Sequence, residues 1–490
     1  MSDGSSTPID IEHWRERLAV LAGRHGVPGA QLGIVRTPGP DRPAARVEAA
    51  HGVLDVATGH AVDTGSVFQI GSITKVWTAT VVMGLVEEGL LSLDTSVAEA
   101  VPEAFPDDPG RAAPITVGRL LDHTSGIDGD LFTDTGRGDD ALERYVGTLA
   151  EAATIHPPGA GFSYCNSGFV LLGRIIEKAT GLTWDEAMRE RLFAPLGLTR
   201  AGTLPEEAIP HGAAMGHVRG YPDPERAPVW GLPRSMGPAG GVTANAGDLL
   251  GFAEAHLRGG RTDSGERILS EETVEMMTRS RVRLPDPYTL GDSWGLGWIR
   301  YGWDGRRLVG HDGNTIGQSA FLRLLPDAGI AVALLTNGGR ARDLYQELYG
   351  EVFERVAGTR VPAPPAPDHD PEDLSEEDRA SVSEVYENTS QRLEVLGRDG
   401  ARRGLRVIDL GALGGVDPDP VEEHPLAPID DGLYVFRAKE RWTWTPVTFH
   451  TLATGERHLH LGGRAVPEAG GEGTDQISST ATRTTPNRAT

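Results

Sequence analysis

The chain has one cysteine, Cys165, and only three lysines, Lys75, Lys178 and Lys439, in 490 residues. A single cysteine excludes an intramolecular disulfide and any zinc site of the paired-cysteine kind. Lysine plus arginine total 46, so positive charge is written almost entirely as arginine. Aspartate plus glutamate total 70, the net charge is −24, and no Lys/Arg-rich block breaks the acidic background. That balance argues against nucleic acid and membrane as partners, because both need a concentrated positive surface. No apolar run approaches the ~20 residues of a membrane span. The start "MSDGSSTPIDIEHWRERLAV" carries acidic residues where an export signal has a basic start and an unbroken apolar core, so the expected location is cytoplasmic.

What is present describes an ordinary globular composition, 39% hydrophobic and 24% charged. Ile11, Trp14, Leu18, Leu21 and Ala22 recur at helical spacing. Two β-rich runs follow at 30–37 and 45–55, and then the helix that starts at Ser72. Helical patterns dominate from about 95 to 260, including "SGFVLLGRIIEKAT" (167–180) and a capping box of Thr183 with Glu186. Strand signals return at 293–302, 306–313, 318–327 and 330–339, and a last amphipathic helix covers 341–357. The expectation is an α/β domain over 1–357: an antiparallel sheet flanked by helices, with an inserted all-α subdomain. Residues 358–378 are proline- and acid-rich and read as a linker. Short strand-like runs, with an Asp399–Gly400 turn, suggest an antiparallel β-barrel over 379–467, and 468–490 reads as a disordered tail.

A lysine surviving at "GSITKVWTA" in an arginine-writing chain needs a reason. Serine and lysine three apart share one helical face. A serine hydroxyl is a poor nucleophile until a neighbour takes its proton, and a lysine can do so only when its amine is neutral. Arginine stays protonated and cannot replace it. S-x-x-K occurs once in the chain, at Ser72 and Lys75. "FSYCNSGF" adds Tyr164 and Asn166 on a turn before a helix that Asn166 or Ser167 can cap. A phenol beside a lysine can carry a proton between nucleophile and leaving group. A carboxamide offers a donor and an acceptor to a substrate amide. "LVGHDGNTIGQ" places His311 and Gly313 at a strand end, where glycine permits close approach. The Asn314 amide can there join that of Ser72 as an oxyanion hole.

These motifs, with "LLDHTSGI" (120–127) and "GPAGGVTANAGDL" (237–249), resemble the serine β-lactamase and penicillin-binding-protein family. The resemblance covers about 15–357 and points to its class C β-lactamase, esterase, D-aminopeptidase and peptide-cyclising branch. It implies that Ser72 is the nucleophile, Lys75 its general base and Tyr164 the partner acid/base. Asn166 would then contact substrate and His311 would be the third-motif residue. β-Lactamases usually have lysine at that last position, so the resemblance implies esterase, aminopeptidase or cyclase chemistry before β-lactamase activity. The region after 378 resembles the lipocalin-like barrels of some relatives.

Rival constellations fail on context. "GDSWG" (291–295) fits a nucleophile elbow at Ser293, with Asp304 and His311 following, but a Gly/Trp-rich strand stands where the elbow needs a helix. His123 reads as a turn histidine bonding local backbone. His458 and His460 alternate onto one strand face with no third metal ligand, so they are expected at the surface. Tyr386-Glu387-Asn388 and His460-Leu461-Gly462 repeat the smaller motifs by chance. Asp368, His369 and Asp370 read as solvated linker charge, and Cys165 is assigned no role. The expected protein is a serine acyl-enzyme hydrolase of an ester or amide, esterase-like or D-aminopeptidase-like, needing no cofactor or metal. The alternatives are a transacylase or thioesterase that delivers the acyl group to an amine, as in peptide macrocyclisation, and a non-catalytic binding module. Its partner would be a small-molecule or peptidyl acyl donor, including a carrier-bound thioester.

Overall fold

Apolar residues run unbroken through "IAVALLT" and almost unbroken through "GAQLGIVR", and both segments are strands buried at every position. Strands so covered on both faces sit at the middle of a layered sheet. The computed structural model describes residues 9–38, 44–218, 224–397, 402–410, 421–438 and 442–470. It divides into two compact units. The first comprises Met1–Asp122, Thr133–Gly147 and Phe169–Ala363; the second comprises His123–Phe132, Thr148–Gly168 and Pro364–Thr490.

In the first unit, β1 (Gly29–Arg36), β2 (Ala45–Gly52), β3 (Val282–Arg283), β4 (Ser293–Trp294), β5 (Ile299–Trp303), β6 (Arg306–Asn314), β7 (Ser319–Leu325) and β8 (Ile330–Thr336) form one sheet. Its order is β2-β1-β8-β7-β6-β5-β4-β3, with every pair antiparallel. Helices α1 (Ile11–His25), α2 (Ile73–Glu87), α3 (Asn166–Thr180), α4 (Ala246–Leu257) and α5 (Ala341–Ala357) are the long ones among the described residues. Asp10 caps α1 and Gly26 ends it in the left-handed region. The helix buries Trp14, Leu18, Leu21 and Ala22, as their spacing requires. Arg17 joins it to α5 through Glu351, at 2.6 Å from Nε.

α2 is apolar on nearly all sides and buried from Ile73 to Met83. A helix of that composition belongs inside the molecule. Trp77 stacks on Phe252 of α4 at 5.0 Å and meets Phe193 edge-on at 5.7 Å. The capping box of Thr183 and Glu186 is present. The stretch from 95 to 260 is less purely helical than expected, since His217–Val218 pairs with Glu225–Arg226 and Thr243–Ala244 with Phe68–Gln69. Two-residue strands are too short to leave a period in the sequence.

In the second unit, residues 364–375 hold neither helix nor strand. Nine strands follow: β9 (Val382–Glu387), β10 (Gln391–Leu396), β11 (Gly404–Asp409), β12 (Val421–Pro425), β13 (Ala427–Asp430), β14 (Leu433–Phe436), β15 (Thr445–Thr451), β16 (Arg457–Leu461) and β17 (Arg464–Pro467). The expected closed barrel is not what the described residues form. They make a four-stranded and a five-stranded antiparallel meander, β9 to β12 and β13 to β17, linked by one bridge between Tyr386 and Glu468. Alternating apolar positions give strands and an inner face, but closure depends on register across the edges, which no single strand encodes. The inner faces share a core of Tyr386, Leu393, Val395, Leu405, Phe436, Val447, Leu459 and Val466. The Asp399–Gly400 turn and most of the expected tail lie outside the described residues.

Segments 123–132 and 148–168 are built into this second unit. Buried Asp128 accepts from the Thr389 amide at 2.8 Å and its hydroxyl at 2.6 Å. His458 and His460 are buried, correcting their expected place at the surface. Their Nε2 atoms meet the carbonyls of Ile155 at 2.9 Å and Phe162 at 3.2 Å. No helix among the described residues is long and apolar enough to cross a membrane.

Asp128→Ala removes the shared acceptor of Thr389, which costs about 1–3 kcal/mol. Hydrogen exchange is expected to quicken in 123–132 and 382–396 while α2 keeps its protection. Equal loss in both units would contradict this division.

Candidate active site

Ser72 stands immediately before α2, with helical backbone angles of φ −64° and ψ −7°. One turn on, the Lys75 side chain is fully buried, and its Nζ lies 3.0 Å from Ser72 Oγ and 2.6 Å from the Ala239 carbonyl oxygen. The Phe169 ring centroid is 5.7 Å from the same nitrogen. Ala239 belongs to a short helix, Gly237–Gly240, which docks along the polar stripe of α2. Thr78 Oγ1 donates to the Pro238 carbonyl at 3.0 Å, and the Val242 amide donates to Thr74 Oγ1 at 3.1 Å. The motif at 237–249 therefore places a carbonyl that holds the amine. A carbonyl accepts only, so one Nζ hydrogen is committed to Ala239. In the uncharged amine the lone pair is then left for the Ser72 hydroxyl proton.

The end of β6 lies against the turn that carries Ser72. A Cβ on Gly313 would fall 1.9 Å from the Ile70 carbonyl oxygen and 2.9 Å from the Ser72 amide nitrogen. Gly71 adopts φ +51°, and a Cβ there would meet the Asn314 nitrogen at 2.7 Å. Two glycines thus let the Ser72 and Asn314 amides share one small region, the arrangement an oxyanion hole requires.

His311 is buried on the same strand, its ring 5.4 Å from that of Trp294, edge to face. Its Nδ1 lies 2.6 Å from the Asp312 carbonyl oxygen, so Nδ1 carries the proton and Nε2 the lone pair. Burial first, and the charge of Lys75 second, push the imidazole down to about 3. His311 is therefore a neutral hydrogen-bonding group, not a cation. The Asp312 carboxylate pairs with buried Arg323 at 2.5 Å and with Arg342 at 2.8 Å. Burial raises its proton affinity, but the two guanidinium groups outweigh that and hold the carboxyl below its ordinary value. Arg323 is further enclosed by Tyr301 and Tyr345, with ring centroids at 4.1 and 5.0 Å.

Tyr164 and Asn166 lie in the second unit, where partners absent from the sequence reading surround them. The Tyr164 amide donates to the Gly463 carbonyl at 2.9 Å, and its ring stacks on His123 at 4.4 Å. His123, at φ 59°, accepts the Cys165 amide on Nδ1 at 3.0 Å. It is more than a local turn residue, because it wedges the Tyr164–Asn166 turn from a segment some forty positions away. Asn166 Nδ2 donates to Asp130 at 2.6 Å, and the Ser167 hydroxyl donates to the Gly129 carbonyl at 3.0 Å. Burial pushes the Cys165 thiol up to about 12, which makes it inert.

The structure thus brings together Ser72, Lys75, His311, Gly313 and Asn314 in one unit, and Tyr164 and Asn166 in the other. The rivals have other partners. Ser293 donates to Asp292 at 2.6 Å from a two-residue strand, and Asp304 pairs with Arg360 at 3.2 Å. Tyr386 donates to Glu384 at 2.7 Å. Ala239, Asp130 and Arg464 were not singled out in the sequence, and His123 was read only as a turn residue. The signal for the first was a stripe of Thr74, Lys75 and Thr78 on an otherwise apolar helix; the others follow only from long-range packing.

A family model described as "Beta-lactamase" matches residues 14–356. Over 383 residues the chain is 45% identical to penicillin-binding protein 4 of Amycolatopsis lactamdurans, covering 78% of this chain and 98% of that one. It is 27% identical over 325 residues to esterase EstB of Burkholderia gladioli, covering 59% and 81%. Among solved structures, SurE superposes with a TM-score of 0.69 at 29% identity, covering 93% of this chain and 99% of that one.

Gly313→Ala is expected to fold yet lose about 100-fold or more in turnover, because the new Cβ displaces an oxyanion donor. His311 titrates at about 3 in the folded state against 6.5 unfolded. The unfolded chain therefore binds the extra proton first, and stability present above pH 6.5 is lost as pH falls toward 3. Replacing it in His311→Gln should flatten that acid slope, read as urea midpoint against pH.

Proposed function

The chain belongs to the beta-lactamase family, and from that premise we propose that it is a serine acyl-enzyme hydrolase of an ester or amide. The observation that carries this reading is the Lys75 amine held between Ser72 Oγ and the Ala239 carbonyl. Uncharged Lys75 accepts the Ser72 proton as Oγ bonds to the substrate carbonyl carbon. The electron pair moves to the carbonyl oxygen, where the Ser72 and Asn314 amides receive it, at a site the positive end of α2 also favours. Collapse of the tetrahedral adduct expels the leaving group, which takes up a proton, the transfer that the family resemblance assigns to the Tyr164 phenol. Asn166 holds the substrate amide. Water then attacks the acyl-enzyme, giving up its proton by the same route in reverse. Neutral His311 contributes a hydrogen-bond acceptor at Nε2 and no charge for a substrate carboxylate.

A D-configured residue in the donor is supported by the relatives, which include D-aminopeptidases of Cereibacter sphaeroides and a structure of SurE with D-Leu. The SurE match extends over 93% of the chain, C-terminal strands included. Because the resemblance associates such C-terminal domains with the peptide-cyclising branch, it favours a second reading. In that reading an amine replaces water, and a peptidyl thioester or ester ending in a D-residue is cyclised or joined. We read the nine C-terminal strands as the lipocalin-like part of that arrangement.

A fluorophosphonate or penicillin-type probe is expected to label the protein, and Ser72→Ala to abolish labelling. No adduct with any acyl donor would favour a binding module instead. Lys75→Arg should fold normally and lose about 100- to 10,000-fold in turnover, the range of a general base. Product masses from a D-terminal peptide thioester, hydrolysed against cyclised, distinguish water from amine.

A further inference from the structure

The last hairpin of the second unit, "RHLHLGGRAVP", carries a feature the proposed chemistry has not used. Gly462 and Gly463 have φ +58° and +85° between paired Leu461 and Arg464, the two-residue turn suited to a tight hairpin. That turn is applied to the Tyr164 motif at three points. The Gly463 carbonyl accepts the Tyr164 amide at 2.9 Å, and the Ala465 amide donates to Ser163 Oγ at 3.2 Å. The Arg464 guanidinium carbon lies 4.8 Å from the Tyr164 ring centroid.

The rest of the guanidinium fork is occupied. Nε and Nη2 reach the two Asp130 oxygens at 2.9 and 3.3 Å, and Nη1 donates to the Gly462 carbonyl at 2.7 Å. Asp130 in turn receives the Asn166 carboxamide at 2.6 Å. One partly buried arginine therefore lies over the Tyr164 ring and reaches the Asn166 carboxamide through a single carboxylate.

We propose that Arg464, supplied from beyond the linker, is a positioning residue for the Tyr164–Asn166 motif: its fixed cation favours the phenolate, and its salt bridge aims the carboxamide. This rests on the reading in which Tyr164 carries a proton. A permanent cation this close to a phenol favours its ionised form, by about 1–3 pH units where nothing offsets it. Within the unit the other ionisable groups beside Tyr164 or its Arg464 partner are the His123 ring, the inert Cys165 thiol and the Asp130 carboxyl. Asp130 offsets part of the Arg464 charge, so the net effect is smaller than that of an unpaired cation. The bidentate pairing with Asp130 explains why arginine stands here, since its planar fork matches a carboxylate and keeps its charge.

The test is titration of Tyr164 in the full chain labelled with 13Cζ-tyrosine. Of nine tyrosine signals, the one lost in Tyr164→Phe is Tyr164. Arg464→Gln is expected to raise its ionisation by about one pH unit, and Arg464→Lys to leave it nearly unchanged. Fluorophosphonate labelling of Ser72 should persist in both, and the pH profile of kcat/KM for an acyl donor should move with the phenol. An unmoved Tyr164 titration in folded Arg464→Gln overturns the proposal. If that variant does not fold, Arg464→Leu, which keeps contact with the ring, takes its place. Failure of both neutral variants to fold would make Arg464 a purely structural staple and also overturn it. Full activity of Tyr164→Phe would instead sink the proton-carrier reading, while the titration still reports whether Arg464 acts on the phenol.

Discussion

One nitrogen organises the first unit. Lys75 Nζ is fixed between a hydroxyl at 3.0 Å and a carbonyl at 2.6 Å, on a helix that is otherwise an apolar core element. Placing an amine there means taking it out of water, which is unfavourable for the charged form and mild for the neutral one. The surroundings suit that state. The Ala239 carbonyl takes one hydrogen, and the flanking threonines bond the same 237–242 segment, so the segment cannot withdraw without breaking several contacts. Ser72, Lys75 and the Ala239 carbonyl are thereby held together on regular elements, as the proposed chemistry requires.

Around that nitrogen, fixed positive charge is present but kept in pairs. Buried Arg323 and Asp312, joined by the more exposed Arg342, form a network beneath the third motif, while His311 on the same strand as Asp312 stays neutral. Breaking such a network would leave a buried cation uncompensated, which costs several kcal/mol. Its use here is to lock β6, whose Asp312 carbonyl sets the His311 tautomer and whose Gly313 lies against Ile70 and Ser72. Arginine serves this purpose because it stays charged, and lysine serves at position 75 because it can become uncharged. The residue usage of the chain and its chemistry agree on that division.

Much of this was legible beforehand. The apolar strands, the terminal amphipathic helix at 341–357 and the capping box at Thr183 follow from periodicity and local hydrogen bonding. Ser72 and Lys75 were legible because helix geometry converts a spacing of three into contact. What stayed hidden depends on distant pairing. Asp130 and Arg464 meet across more than three hundred residues, and His123 stacks on Tyr164 across forty-one. No local pattern encodes either meeting. Whether the strands close was hidden for a similar reason, since strand count is local and closure is not. His458 and His460 were misplaced because alternation shows which residues share a strand face, and the segment that covers that face lies three hundred positions earlier.

The small number of lysines makes the central claim directly measurable. With 13Cε-lysine labelling the chain gives signals from only Lys75, Lys178 and Lys439, and the one lost in Lys75→Arg belongs to Lys75. The account predicts that Lys75 loses its proton well below the ordinary lysine range near 10.4, so that a usable fraction is uncharged at working pH. A Lys75 signal that titrates together with the other two would contradict it, because the amine would then have no lone pair to offer Ser72.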